Sequence, residues 1–252
     1  MAVEASLCEQ PKPAKGEWME AVYRAYEQLC RRFALQDEQG LGGRLIFAGE
    51  LQAHRGDSPA DAVVAAANIV GAATLAAAPE AAAQRRAMRD ALVDFVVNSL
   101  DEALRILKNE IRQRRAVSVA VAVSAGKLAE EMRERGVQPE QSASSVDAAE
   151  DFPRSVFVAW RRESCCSRTK SVEEIVALEL IEETDSIRQR WLRLAPRYLG
   201  RAAHRAMGVG LSEREFAVWR ERVRAVSAGV VGQSGQIVQS AGERGQSEAR
   251  FG

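Results

Sequence analysis

Apolar residues in this chain recur first at helical spacing, then in short β-branched runs separated by further helical stretches. From about Glu17 to Gln36, the residues Trp18, Val22, Tyr26, Leu29 and Phe33 share one helical face. Read alone, that stripe is a core face, with stacking on a ligand as the other use of its aromatics. Gly40, Gly42 and Gly43 end the helix. Arg44 to Ala48 predicts the first strand, Ser58-Pro59 opens a helix reaching about Ile69, and Gly71 breaks it before a second strand over Ala72 to Ala78. Glu80 to Leu92 predicts a helix and Val93 to Val97 a strand. Ser99 with Glu102 forms a capping box for a helix that buries Leu100, Leu104, Leu107 and Ile111. Val117 to Val123 is the next strand, and Lys127 to Arg135 is a helix stopped by Gly136, with Pro139 beyond.

Strand–helix alternation with such short links predicts a parallel, right-handed α/β sheet. The polar stretch 141–152 reads as a linker. Beyond it, Ser155 to Trp160 and Ile175 to Ile181 read as strands, and Ile187 to Met207 as a helix interrupted at Pro196. The organisation expected is a flexible N-terminus over 1–16, an N-terminal helix and α/β domain over 17–140, a linker, and a smaller C-terminal α+β part over 153–226. The Gly-, Ser- and Gln-rich remainder, 227–252, reads as a disordered tail.

Lys+Arg and Asp+Glu both total 35, so no overall charge draws the chain to nucleic acid or anionic lipid. Cys8, Cys30, Cys165 and Cys166 lack C-x-x-C spacing, and His54 and His204 are the two histidines, so no metal site is expected. Free thiols suit a reducing cytoplasm. Met1 to Gln10 has no signal pattern, and the alanine-rich run Ala62 to Ala78 falls short of the ~20 strongly apolar residues of a membrane span. A cytoplasmic protein without membrane contact is expected.

Ligands of open α/β sheets sit past the carboxyl ends of the strands. That edge offers Gly49, Glu50, Asn98, Ser99 and Ser124 as candidate ligand-binding residues, and both serines also read as helix caps. The loop Glu50 to Ala60 has one glycine, places Asp57 where phosphate would be repelled, and loses an N–H at Pro59, so it disfavours pyrophosphate. Arg190, Arg193, Arg197, Arg201 and Arg205 recur at three- and four-residue spacing. They form either a phosphate-tracking face or a solvated one neutralised by Glu173, Glu174, Glu179, Glu182 and Glu183. No nucleophile–His–acid set can be assembled, so no catalytic residue is assigned.

Ala65-Ala66, Gly71, Arg85-Arg86, Leu100-Asp101-Glu102-Ala103-Leu104, Arg135-Gly136-Val137 and Pro139 occur in the order and spacing of the central domain of urocanases (urocanate hydratases). The chain therefore resembles that domain, which implies a Rossmann-like, mostly parallel sheet with flanking helices. Carried over position by position, the resemblance also implies loss. The family's glycine-rich turn falls on Asp57, Ser58 and Pro59, its ribose-binding glutamate on Ala77 and a cofactor-contacting arginine on Ala82. Its Asn-Ala pair becomes Ser124-Ala125, and its Gln-Thr-Ser-Ala-His stretch falls near Ser145 to Ala149, where Ala148 alone agrees. The resemblance thus implies a stand-alone domain without NAD or hydratase activity, acting as a binding or interaction module for a small-molecule or protein partner. The alternatives are an enzyme or sensor taking a nucleotide-like or smaller ligand at the strand edge, and, more weakly, nucleic-acid binding by the arginine helix.

Overall fold

The period-2 alternation of the central strands places two different kinds of side chain on the two faces of one sheet. The structure is a computed structural model that describes residues 15–35, 40–54, 58–139, 141–142, 155–161, 170–199, 203 and 206–233. Strands β1 (Leu45–Glu50), β2 (Ala73–Ala77), β3 (Phe95–Val97), β4 (Val117–Val121) and β5 (Gln141–Ser142) pair in the order β3-β4-β2-β1-β5, every pair parallel. Helices α2 (Pro59–Val70), α3 (Ala81–Arg89), α4 (Leu100–Arg112) and α5 (Ala125–Glu134) make the crossovers. On one face Phe47, Leu75, Val117, Val119 and Val121 pack against Leu100, Ala103, Leu107 and Leu128 of α4 and α5. On the other, the sheet presents smaller residues such as Ala76 and Ala120 to α2.

Those small residues explain the alanine-rich run. Every residue of α2 from Ala60 to Val70 is buried, because α1 (Lys15–Arg32) and a later helix cover the side that faces away from the sheet. A helix enclosed between a sheet and two helices has room for Ala and Val and little more. Its polar groups must then be satisfied internally. The Ser118 hydroxyl donates to Asn68 Oδ1 at 2.7 Å, and Gly71, at φ +87°, takes the left-handed turn that ends the helix.

The C-terminal part supplies the outer cover. Strands β6 (Val156–Arg161) and β7 (Ala206–Leu211) form an antiparallel pair, flanked by α6 (Val172–Leu180), α7 (Ser186–Tyr198) and α8 (Glu213–Gln233). Trp191 of α7 is fully buried, donates to the Gly208 carbonyl at 2.7 Å, and meets Tyr23 edge-on at 4.9 Å. Tyr26 donates to the Ile187 carbonyl at 2.7 Å. The aromatic stripe of α1 is therefore core: Trp18, Val22, Tyr26 and Leu29 are buried.

Several sequence expectations are corrected. Ile175 to Leu180 is helical and Ile181 ends the helix in an extended conformation: Ser171 caps α6 by accepting the Glu174 N–H, and Val176 and Ala177 are buried helix residues. Pro196 does not interrupt α7; it lies in the last turn, where it removes one bond from a helix anchored by Trp191 and Ala195. Ala206 and Met207 belong to β7, not to that helix. Gln141 and Ser142, expected in the linker, pair with Ile46 and Phe47, and α8 continues through Ser227 to Gln233. Leu104 and Ile111 are half-buried, whereas Ala103 is fully buried. Residues 1–14, Cys165-Cys166 and 234–252 lie outside the described residues.

Two predictions follow from this packing. Leu107→Ala is expected to lower stability in urea unfolding by about 2–5 kcal/mol, and Leu104→Ala by clearly less, because only the first side chain is enclosed. The second concerns Glu215, which forms a two-bond fork with Arg188, each N–O distance 2.9 Å. Partial burial works against the Glu215 charge, but Arg188 and the Ser212 N–H outweigh it and hold its pKa below the ordinary 4.5. A lowered folded-state pKa contributes stability above the unfolded value and loses it as pH falls through the folded value. Thermal midpoints measured downward from pH 5 should therefore fall less for Glu215→Gln than for the unaltered protein.

Candidate functional site

The crevice of this sheet follows from its crossovers. Helices α2 and α3 lie on one face and α4 and α5 on the other. Adjacent strands β2 and β4 thus send their chains to opposite faces, and the gap past their carboxyl ends is where an open sheet of this kind takes ligand. Register places Glu50, Ala77, Val121 and Val97 in one row across the sheet. Glu50 sits one strand from the gap. Asn98 and Ser99, past β3, are about 14 Å from Glu50 by strand spacing.

Gly49 positions Glu50. The β1–β2 register slips by one residue between Phe47 and Gly49, and Gly49 takes φ +94°, which a residue with a side chain reaches only under strain. This bulge turns the Glu50 side chain toward α5, where Glu50 Oε2 accepts the Ala125 N–H at 2.8 Å. Ser124 caps the same helix, accepting the Lys127 N–H at 3.5 Å. The first turn of α5 thus has its anion position filled by a carboxylate of the protein itself.

The start of α2 is also engaged. Ser58 Oγ accepts the Ala60 N–H at 3.1 Å and donates to the Glu50 carbonyl at 2.8 Å, while Pro59 has no N–H to offer. One turn in, the fully buried Asp61 accepts from Arg86 Nη2 at 2.8 Å, and Arg86 Nε donates to the Gln52 carbonyl at 3.0 Å. Gln84 of α3 donates to the Ala78 carbonyl at 2.8 Å. Ala77 is buried and apolar.

A family model for the urocanase Rossmann-like domain matches residues 23–154, just over half of the chain. The chain belongs to that family. Nothing among curated proteins matches it. The urocanase-like domain so defined takes in the second half of α1, the whole parallel sheet and the segment leading to β6.

Of the five residues read from the sequence as ligand-binding, this fold brings together Gly49, Glu50 and Ser124. Ser99 accepts the Glu102 N–H at 3.3 Å, and Glu102 in return accepts the Asn98 N–H at 3.0 Å, so this pair starts α4 at the far side of the sheet. The arginine face does not form as read. Arg190 turns inward and donates to the Ile69 and Val70 carbonyls, both at 3.1 Å, capping α2, while Arg193 and Arg197 remain exposed. Arg201, Arg205 and Asp57 lie outside the described residues. Among the described residues no group of three or more His, Cys, Asp or Glu gathers in metal-binding geometry, and no helix is long and apolar enough to cross a membrane.

Sequence reasoning missed Asp61 and Arg86. Each left a signal: a lone carboxylate in the apolar run of α2, and an arginine on the α3 face that carries Ala83 and Ala87. Two opposite charges on apolar faces point to each other. Arg86→Met should lower stability by about 3–5 kcal/mol in chemical unfolding, because it strands the Asp61 carboxylate in the core. Joining it with Asp61→Leu should recover most of that loss, since a buried pair replaced by apolar groups is often neutral.

Proposed function

We propose that this urocanase-like Rossmann domain has given up dinucleotide binding and hydratase chemistry and works as a binding or interaction module. The observation that carries this reading is the Glu50 carboxylate bound to the first turn of α5. A pyrophosphate brought into the same crevice meets a negative charge already seated there. Two unit charges 4 Å apart repel by about 4 kcal/mol at the effective dielectric near a protein surface. The start of α2 adds to the mismatch, with Pro59 lacking a donor, Ser58 holding the Ala60 N–H and Asp61 buried behind them. Ala77 offers no carboxylate to a ribose hydroxyl. The residues present do not suit NAD.

A second reading rests on the side-by-side placement of Glu50 and Ser124 through the α5 start. In that reading the crevice admits a small polar ligand that donates to Glu50, and the module is a sensor or enzyme. The cytoplasm is the setting proposed for either reading, with the protein or small-molecule partner meeting the domain there.

Denaturing the purified protein and assaying the supernatant for nicotinamide cofactor should find none in stoichiometric amount. Ultraviolet absorbance of urocanate should stay constant over hours of incubation. Bound cofactor at one per chain, or enzymatic loss of urocanate, would overturn the proposal.

A further inference from the structure

Strand β3 lies at one edge of the parallel sheet, and among the described residues it pairs with β4 alone. Its ladder shows which backbone groups are left over. Val97 is in register with Val121, and its carbonyl accepts the N–H of the next residue, Ala122, at 2.9 Å. That offset marks a residue of a parallel ladder whose N–H and C=O both turn to its neighbour. Phe95, two residues earlier, faces β4 in the same way. The N–H and C=O of Val96, between them, therefore point to the open side.

Open edges are usually blunted by a charged side chain, a proline or a bulge. This one is bordered by apolar groups instead. The carboxylate that precedes the strand, Asp94, turns inward and accepts the Ser118 N–H at 2.8 Å. Phe95, and Met88 in the last turn of α3, are each 46% exposed, more than any other large apolar residue described. Val96 packs with the core on the α2 side of the sheet and Val97 with the core on the α4 side. Alternation along the strand places Phe95 on the α4 side, while Met88 belongs to the helix on the opposite side.

The two helices that touch β3 carry charge in the same order along their length. Helix α3 has Glu80 at its start and Arg89 in its last turn, and α4 has Asp101 and Glu102 in its first turn and Arg112 in its last. All five are exposed. Both helices run antiparallel to β3, as crossover helices of a parallel sheet must.

We propose that the β3 edge is the interface of a homodimer, in which a second copy of this chain pairs antiparallel across a twofold axis at Val96. The two Val96 residues then exchange both backbone hydrogen bonds, their Cα atoms about 5.5 Å apart. Phe95 of one copy lies opposite Val97 of the other on the same face, which covers the exposed ring. The twofold also reverses each helix relative to its mate, so the acidic start of α3, and of α4, lies toward the basic end of the same helix in the other copy. A lone peptide strand would take only the backbone bonds. A second copy answers the charge order of both helices as well, the self-complementarity that an isologous contact requires. The interface lies three strands away from Glu50, so it is independent of the function proposed for the crevice.

Sedimentation equilibrium on the full chain, run across micromolar concentrations, should show a species of twice 27.5 kDa in exchange with monomer. Hydrogen exchange of the peptide spanning β3 should slow as the dimer fills, because the Val96 N–H becomes bonded. Phe95→Lys sets a charge against Val97 of the other copy and should raise the dimer dissociation constant about tenfold or more. Because Phe95 is already half in solvent, the circular dichroism spectrum and the thermal midpoint of dilute monomer should stay in place. Met88→Glu, on a different element, should weaken association in the same direction. Ile175→Lys alters a comparably exposed apolar residue on α6 and should leave association unchanged. A monomer throughout that range overturns the proposal and leaves the edge to a strand of another protein. So does a dimer that survives both edge variants, is lost in Ile175→Lys, or forms without slowing exchange at β3.

Discussion

The enclosure of α2 is the constraint from which most of this structure follows. A helix buried on every side from Ala60 to Val70 can neither carry large side chains nor leave a polar group unpaired. The first condition fixes its composition as mostly alanine and valine, and sets small residues such as Ala76 and Ala120 on the sheet face beneath it. The second recruits partners from distant segments: Ser118 for Asn68, Arg86 for Asp61, and Arg190 with Leu41 for the last carbonyls. Each partner comes from a different element, so the helix acts as the joint through which the N-terminal helix, the sheet and the C-terminal part hold together. The aromatic cluster of Tyr23, Tyr26 and Trp191 closes the outer layer over it.

The same economy of partners shapes the crevice. In a dinucleotide site, the amides at helix starts are left open for phosphate, which means they stay unsatisfied until ligand arrives. Here Glu50 and Ser58 occupy those positions from within, and Gln84 satisfies a strand-end carbonyl. The Gly49 bulge is what lets a strand residue reach the α5 start, so a backbone irregularity and a charge arrangement are one feature. A site satisfied by its own protein gains stability from the groups a ligand would otherwise use.

Where hydrophobic period and local capping agreed, the fold was legible in the sequence. The first four parallel strands, their crossover helices, the Ser99 and Ser124 caps and the core face of α1 all carry such local signals. The failures cluster beyond residue 140, where local pattern and tertiary packing diverge. Ile175 to Ile181 is rich in β-branched and aliphatic residues, yet Ser171 and the acids after it start a helix. Pro196 has the local signature of a break, but the burial of Trp191 and Ala195 outweighs its missing bond. Strand β7, with two glycines in six residues, has little strand propensity of its own; its glycines leave room for Phe157 and Tyr23. Long-range pairings such as Asp61 with Arg86, or Arg190 with the end of α2, have no local signature beyond a charge in the wrong company.

Evenly spaced arginines illustrate how far such a pattern can be trusted. Spacing on a helix decides which residues share a side of the cylinder, but not which side meets the protein. Arg190 lies one residue before the fully buried Trp191, and its guanidinium reaches the last carbonyls of α2 instead of solvent. Arg188, two residues earlier, is held by Asp185 and Glu215. The outward pair, Arg193 and Arg197, is what remains of the stripe within the described residues. A phosphate-tracking surface needs several cations presented together, and α7 directs its inward arginines to the carbonyls and carboxylates that hold the layers in place.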